Sequence, residues 1–156
     1  MKKVAVIYFT HTDTTGKLAG AIIEGTGSIN ETEVIELRIS GEQIVNGRFK
    51  ELSYLDEMLN ADAVIFGTPT YMGNISAQFK TFADATSELW CDQAFAGKLA
   101  AGFTCGSALN GDQSNSLQYM VTLANQHGMF WVGLDSALGY EDKGINRLGC
   151  QLGVTA

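Results

Sequence analysis

The strongest constraint on the fold is a series of five short apolar runs separated by amphipathic stretches. Val4–Phe9 (VAVIYF), Ala63–Gly67 (AVIFG), Leu99–Cys105 (LAAGFTC) and Met129–Leu134 (MFWVGL) are nearly continuous in apolar residues, while Val34–Ile39 (VIELRI) alternates. A run that is apolar on both faces belongs in a sheet covered on both sides, and such sheets are parallel. The intervening stretches carry helical spacing. Lys17–Glu24 has Leu18, Ala21 and Ile22; Phe49–Leu59 has Leu52, Leu55 and Leu59; Ile75–Leu89 has Phe79, Phe82, Ala83 and Thr86; Ser116–Gln126 has Leu117, Met120, Val121 and Ala124. This alternation predicts an α/β doubly wound sheet of five parallel strands with right-handed crossovers. No repeat or linker interrupts it, so residues 1–156 are expected to form one domain.

The last segment departs from the pattern. Asp135–Ala156 contains Gly139, Gly144, Gly149 and Gly153 and no amphipathic helix of normal length. A doubly wound sheet of this size needs a fifth helix over strands one and five. The flank is therefore expected to be covered by the Asp135–Ala156 tail, by a neighbouring chain, or by a longer natural protein.

Charge and cysteine usage narrow the function classes. Ten Lys and Arg against seventeen Asp and Glu leave a net charge of −7, which argues against nucleic acid and against anionic membrane surfaces as partners. The N-terminal apolar run is too short for a signal peptide, and none approaches the ~18 residues of a membrane span. Cys91, Cys105 and Cys150 form no paired motif and no metal-ligand spacing, so a reduced, cytoplasmic setting is expected and no metal is.

In an open parallel sheet, ligands bind beyond the carboxyl ends of the strands. Three loops lie there. The first, Thr10-His11-Thr12-Asp13-Thr14-Thr15-Gly16, crowds four hydroxyls ahead of a helix. Hydroxyls and free amides at a helix N-terminus suit a phosphate, though Thr and Asp are also ordinary caps. A carboxylate repels a phosphate, so Asp13 must point away or cap the helix. The second loop, Gly67 to Ile75, holds the only proline, Pro69, and offers Tyr71 and Met72 to a planar ring. The third, Thr104 to Asp112, is rich in small residues that allow close backbone approach. A phosphate in the first loop and a heterocycle between the others is the layout expected for FMN.

The chain resembles flavodoxin-like FMN proteins over essentially its whole length. Their phosphate pattern, Thr/Ser-x-Thr-Gly-x-Thr, is met at Thr10, Thr12 and Thr15, with Asp13 where glycine is usual. The resemblance is closer to WrbA-type NAD(P)H:quinone oxidoreductases and NADPH-dependent FMN reductases. It is carried by GTPTYMGNISAQFKTF (Gly67–Phe82), by Phe103-Thr104 with Gly106 and Gly111, and by His127-Gly128-Met129 before Val132-Gly133-Leu134.

The resemblance implies a flavodoxin-like fold with strand order 2-1-3-4-5. It implies that Thr10, Thr12, Thr14 and Thr15 hold the FMN phosphate. Pro69, Thr70, Tyr71, Met72, Gly73 and Asn74 would wrap the ring system, and Thr104, Cys105, Gly106 and Gly111 would line its other edge. Trp90 and His127 match positions bordering a nicotinamide or quinone pocket near a subunit interface of a homo-oligomer. NAD(P)H would be the donor and a quinone-like small molecule the acceptor; the other reading is a flavodoxin that passes electrons to a redox protein.

Plainer roles stand beside these. His127 could cap a helix end, Trp90 could be packing, and Cys105 a small buried residue rather than a redox thiol. His11 and Lys17 are expected to be solvated.

Overall fold

The computed structural model describes residues 1–136 and 144–156. In chain order the elements are β1 (Lys2–Phe9), α1 (Thr14–Gly27), β2 (Thr32–Ile39), a 3-10 turn (Gly41–Gln43), the hairpin β3 (Ile44–Val45) and β4 (Arg48–Phe49), and α2 (Ser53–Leu59). Then come β5 (Ala63–Tyr71), β6 (Asn74–Ile75), α3 (Ala77–Ala85), α4 (Ser87–Cys91), β7 (Leu99–Cys105), α5 (Gly111–Gln126), β8 (Phe130–Trp131) and β9 (Val154–Thr155). The main sheet runs β2-β1-β5-β7-β8, all parallel. This is the expected doubly wound order, with the hairpins adding short strands.

Both faces of the sheet are buried over most of its width. Ile7, Phe9, Leu37, Val64 and Phe66 pack with Phe79, Phe82, Leu117 and Met120 on one side. Val6, Tyr8 and Phe103 pack with Ala19 and its neighbours in α1 on the other. Among the described residues no helix is long and apolar enough to cross a membrane.

Three expectations need correction. Helix Phe49–Leu59 begins at Ser53, because Phe49 closes the β3–β4 hairpin and is buried there. Ile75–Leu89 is two helices: α3 starts after Ser76, whose hydroxyl caps the Phe79 amide, and ends at Ala85, with α4 following. The fifth strand is not one run. Phe130–Trp131 pairs with Leu99–Ala100, and Val154–Thr155 pairs with Phe103–Thr104 further along the same edge. The chain leaves the strand row after Trp131 and returns to it 23 residues later; residues 137–143 of that excursion lie outside the described part.

Among the described tail residues, Val154 and Thr155 extend the sheet, and Cys150 and Leu152 pack into the core on the side of α5. Leu99 and Phe130, register partners on the α1 side, are 49% and 66% exposed. The described tail residues do not form the cover expected for this flank.

The return is possible because two glycines meet. A Cβ on Gly153 would overlap the Gly102 carbonyl and crowd Leu117, and one on Gly102 would press on Met120 and Trp131. The obstruction at Gly153 is backbone, which cannot rotate away. Gly153→Ala should destabilise the protein by about 1–3 kcal/mol, read as a lower urea midpoint and faster amide exchange at Ala156.

Candidate functional site

Parallel register brings the three loops together. Tyr8 pairs with Gly67, and Pro69 with Cys105, so β1, β5 and β7 end side by side. Above their ends lies a cleft of about 340 Å³. It is lined by Thr12, Thr14 and Thr15 of the first loop, Pro69, Thr70 and Tyr71 of the second, and Cys105, Gly106 and Ser107 of the third, with Ala156. The sequence singled out eight of these ten. Ser107 sits among them unmarked by any motif, and Ala156 arrives only through the split strand.

In the first loop, Thr10 is buried and, like Thr104, is not among the lining residues, but its hydroxyl has no hydrogen-bond partner. Thr15 is also buried, while the Thr12 and Thr14 hydroxyls are exposed and 3.3 Å apart. Asp13 occupies the α1 N-cap position with φ of 66° and makes no side-chain cap. Its carboxylate lies where a side chain on Gly16 would be, so it neither caps the helix nor leaves the loop. Its carbonyl accepts the first helical bond, from the Lys17 amide. The first-turn amides are thus left without a side-chain acceptor beside an unpaired buried hydroxyl. His11 and Lys17 are exposed, as expected.

The second loop is a hairpin. β5 continues through Tyr71 and turns back as β6, with Thr70 opposite Ile75 and Tyr71 opposite Asn74. The two turn residues, Met72 and Gly73, have φ of 47° and 79°. A two-residue turn with both residues left-handed matches the twist of the strands. Met72 is fully exposed, and the Gly73 carbonyl accepts a 2.6 Å bond from Asn115 Nδ2. Met72, Gly73 and Asn74 stand at the rim and do not line the cleft itself.

The third loop is ordered from below and from the side. Gln113, buried, packs against Gly106, where any side chain would collide with it, and donates to the Ala108 carbonyl at 2.6 Å. The Gly106 amide donates to Ala156 at 2.9 Å. Cys105 is buried; burial pushes its thiol up, with the neighbouring Thr15 hydroxyl acting the other way. It is thus a neutral wall of the cleft rather than a thiolate. Thr104 is wholly buried and its hydroxyl donates to the Thr68 carbonyl, so it does not line the cleft. Gly111 opens α5, outside the lining.

Trp90 and His127 do come together, but elsewhere. They line a groove of about 360 Å³ with Thr86, Tyr119 and Lys80 that shares no lining residue with the cleft. His127 Nε2 is 2.8 Å from the Thr86 hydroxyl, which itself donates to the Ala83 carbonyl. With that hydrogen committed, Nε2 carries the proton and Nδ1 is left as a buried acceptor without a partner. Burial pushes the imidazole below its ordinary value. A neutral ring turned to Thr86 does not serve as the cation of a helix end.

The sign of the resulting pH dependence is fixed. As pH falls through about 6.5, the ordinary histidine value, the unfolded chain takes up the proton before the folded one does. His127 therefore contributes stability that is complete above that pH and lost on acidification. Urea midpoints should fall between pH 7.5 and 5.5, with a shallower slope in His127→Gln.

The family model for NADPH-dependent FMN reductases matches residues 10–141. Flavodoxin FldP of Pseudomonas aeruginosa is 37% identical over 98% of this chain and 79% of its own length. An NAD(P)H dehydrogenase (quinone) of Syntrophus aciditrophicus is 29% identical over 95% and 79%. The crystal structure of a flavodoxin, WrbA-like protein from Agrobacterium tumefaciens superposes with a TM-score of 0.74 at 40% identity, covering 90% of this chain and 80% of that one. The loops that build the cleft fall within the matched span up to Asp112, and the chain belongs to the NADPH-dependent FMN reductase family, FMN-binding proteins of flavodoxin-like fold.

Proposed function

We propose that the protein is an NAD(P)H-dependent oxidoreductase that passes electrons through FMN to a quinone or similar small acceptor. The observation that carries this reading is the unpaired, buried Thr10 hydroxyl beside the uncapped start of α1. Leaving a buried polar group unpaired is costly, on the order of 1–3 kcal/mol, and a phosphate oxygen there would remove the cost. The residues present fit FMN. Thr10, Thr12, Thr14 and Thr15 would hold the phosphate, and the Pro69–Asn74 hairpin and the Cys105–Ser107 segment would flank the ring system.

FMN, when bound, supplies hydride and electron exchange that side chains cannot. The chain's own residues bind, orient and shield. Cys105, kept as a neutral thiol, and Pro69 give the cleft walls without charge. Tyr71 and Met72, exposed at the rim, offer surface against which a nicotinamide or a quinone would stack. Because the groove of Trp90 and His127 shares no lining residue with the cleft, these two would act only at the FMN of a second copy, in a homo-oligomer.

The second reading is a flavodoxin, an electron carrier for a redox protein. It is favoured by the 37% identity to flavodoxin FldP and by the net charge of −7, which would steer docking onto a basic partner. Purified FMN-loaded protein mixed with NADH or NADPH and a quinone separates the two. Rapid oxidation of the nucleotide is expected. No oxidation, with ready electron exchange to a basic redox protein after chemical reduction, would establish the carrier instead.

Asp13 gives a second test, because its carboxylate stands in the proposed phosphate site. A like charge about 4 Å away costs on the order of 1 kcal/mol in water, roughly a fivefold change in affinity. Asp13→Asn, which removes the charge and tolerates a left-handed backbone, should tighten FMN binding about fivefold in a fluorescence titration. Unchanged or weaker binding would move the phosphate away from this loop.

A further inference from the structure

We propose that Ser116, a residue of α5 outside the cleft lining, is a positioning residue for FMN, acting through a one-way chain of hydroxyls that passes through the cleft residue Thr70 and ends on the Thr68 carbonyl. The proposal rests on FMN being the ligand of the cleft. The Ser116 and Thr70 hydroxyls are 2.8 Å apart, Thr70 and Thr104 are 2.9 Å apart, and Thr104 donates to the Thr68 carbonyl at 2.7 Å. Ser116, Thr104 and Thr68 are wholly buried, and Thr70 is half-buried at the cleft wall.

Each hydroxyl has one hydrogen. Thr104 commits its own to a carbonyl, so it accepts from Thr70; Thr70 has then spent its hydrogen and accepts from Ser116. The direction is fixed: Ser116 to Thr70 to Thr104 to Thr68. A helical serine commonly bonds back to the carbonyl one turn earlier, but this one reaches across to the sheet. Its neighbour Asn115 holds the Gly73 carbonyl at the tip of the same hairpin. Two successive residues of α5 therefore grip the segment that would flank the ring system.

The placement marks this as more than core packing. Apolar residues of the same shape would fill these positions at little cost to stability. Instead three hydroxyls stand in series, Ser116 and Thr104 wholly buried and Thr70 between them at the wall, where β5 and β7 end and the cleft begins. Because linked hydrogen bonds polarise one another, losing the first donor leaves an acceptor site on Thr70 unfilled, weakens its bond to Thr104 and loosens the hold on the hydroxyl. The consequence falls on the ligand whose ring lies against Thr70, and it differs between ligand states of different charge distribution.

The test uses FMN-loaded protein, with dissociation constants for oxidised and reduced FMN, the visible spectrum of the bound flavin, and thermal unfolding of each variant. Ser116→Ala should weaken oxidised FMN about tenfold, change the ratio of the two constants at least threefold, and shift the flavin absorption bands. Ser116→Thr, which keeps the hydroxyl, should restore all three. Thr70→Val should behave like Ser116→Ala, and the double variant should be no worse than the poorer single one, since both cut the same chain. Should Ser116→Ala not fold, Thr70→Val against Thr70→Ser poses the same question. Wild-type affinity, ratio and spectrum in the hydroxyl-free variants, equal losses in Ser116→Thr, or additive losses in the double variant would each overturn the proposal while leaving FMN binding in place. Wild-type protein that binds no FMN would remove its basis together with the functional reading.

Discussion

Everything at the site depends on β1, β5 and β7 ending at one level. That level is set by a vacancy filled from the neighbouring strand. Gly67 has no side chain, and the Phe103 ring occupies the space that one would need. Phe103, paired with Gly67 across the ladder, is wholly buried against Tyr8. A register slip of one residue would turn Phe103 to the other face and put a side chain where the ring now lies. The apolar lock under the strand ends thus holds three polar loops in alignment.

Above the lock, polar groups fall into two kinds. The hydroxyls of Thr68, Ser76, Thr104 and Ser116 are buried and paired, and they tie the second loop to α3 and α5. The Thr10 hydroxyl is buried and unpaired. A protein that satisfies so many buried hydroxyls at one end of its sheet and leaves one bare beside an uncapped helix has separated framework from site. Tyr8 shows the framework side again. Burial and its 2.6 Å bond to Glu36 push the phenol up to about 12, which keeps it a neutral donor under the first loop.

The strands and their order were legible because buried parallel strands leave continuous apolar runs. The place of the first loop, between β1 and α1, was legible because four hydroxyls crowd ahead of a helical stretch. What escaped was governed by interactions far apart in sequence. The second loop read as a rigid turn because Pro69 and Gly73 are turn signals, yet Thr68–Tyr71 remain extended, their register fixed by β7 and by β6 folding back. The start of α5 was placed at Ser116 instead of Gly111, since its first turn carries polar residues; Gln113 and Asn115, which organise two loops, were hidden there. Trp90 and His127 line one groove, and only the fold shows that this groove and the cleft share no lining residue.

The split fifth strand has a consequence for how such a chain diversifies. The excursion leaves at Trp131 and returns at Val154, and both ends are fixed to β7, with Leu134 bonded to Gln151 just outside the sheet. A loop whose ends are already held together gains little entropic penalty from added length, about 0.6 kcal/mol per doubling. Added length in the excursion would therefore cost the sheet little, while Cys150 and Leu152, packed into the core, fix its returning arm. Past the return, Thr155 leads straight into Ala156 of the cleft lining, so the strand that closes the excursion also carries a wall of the site.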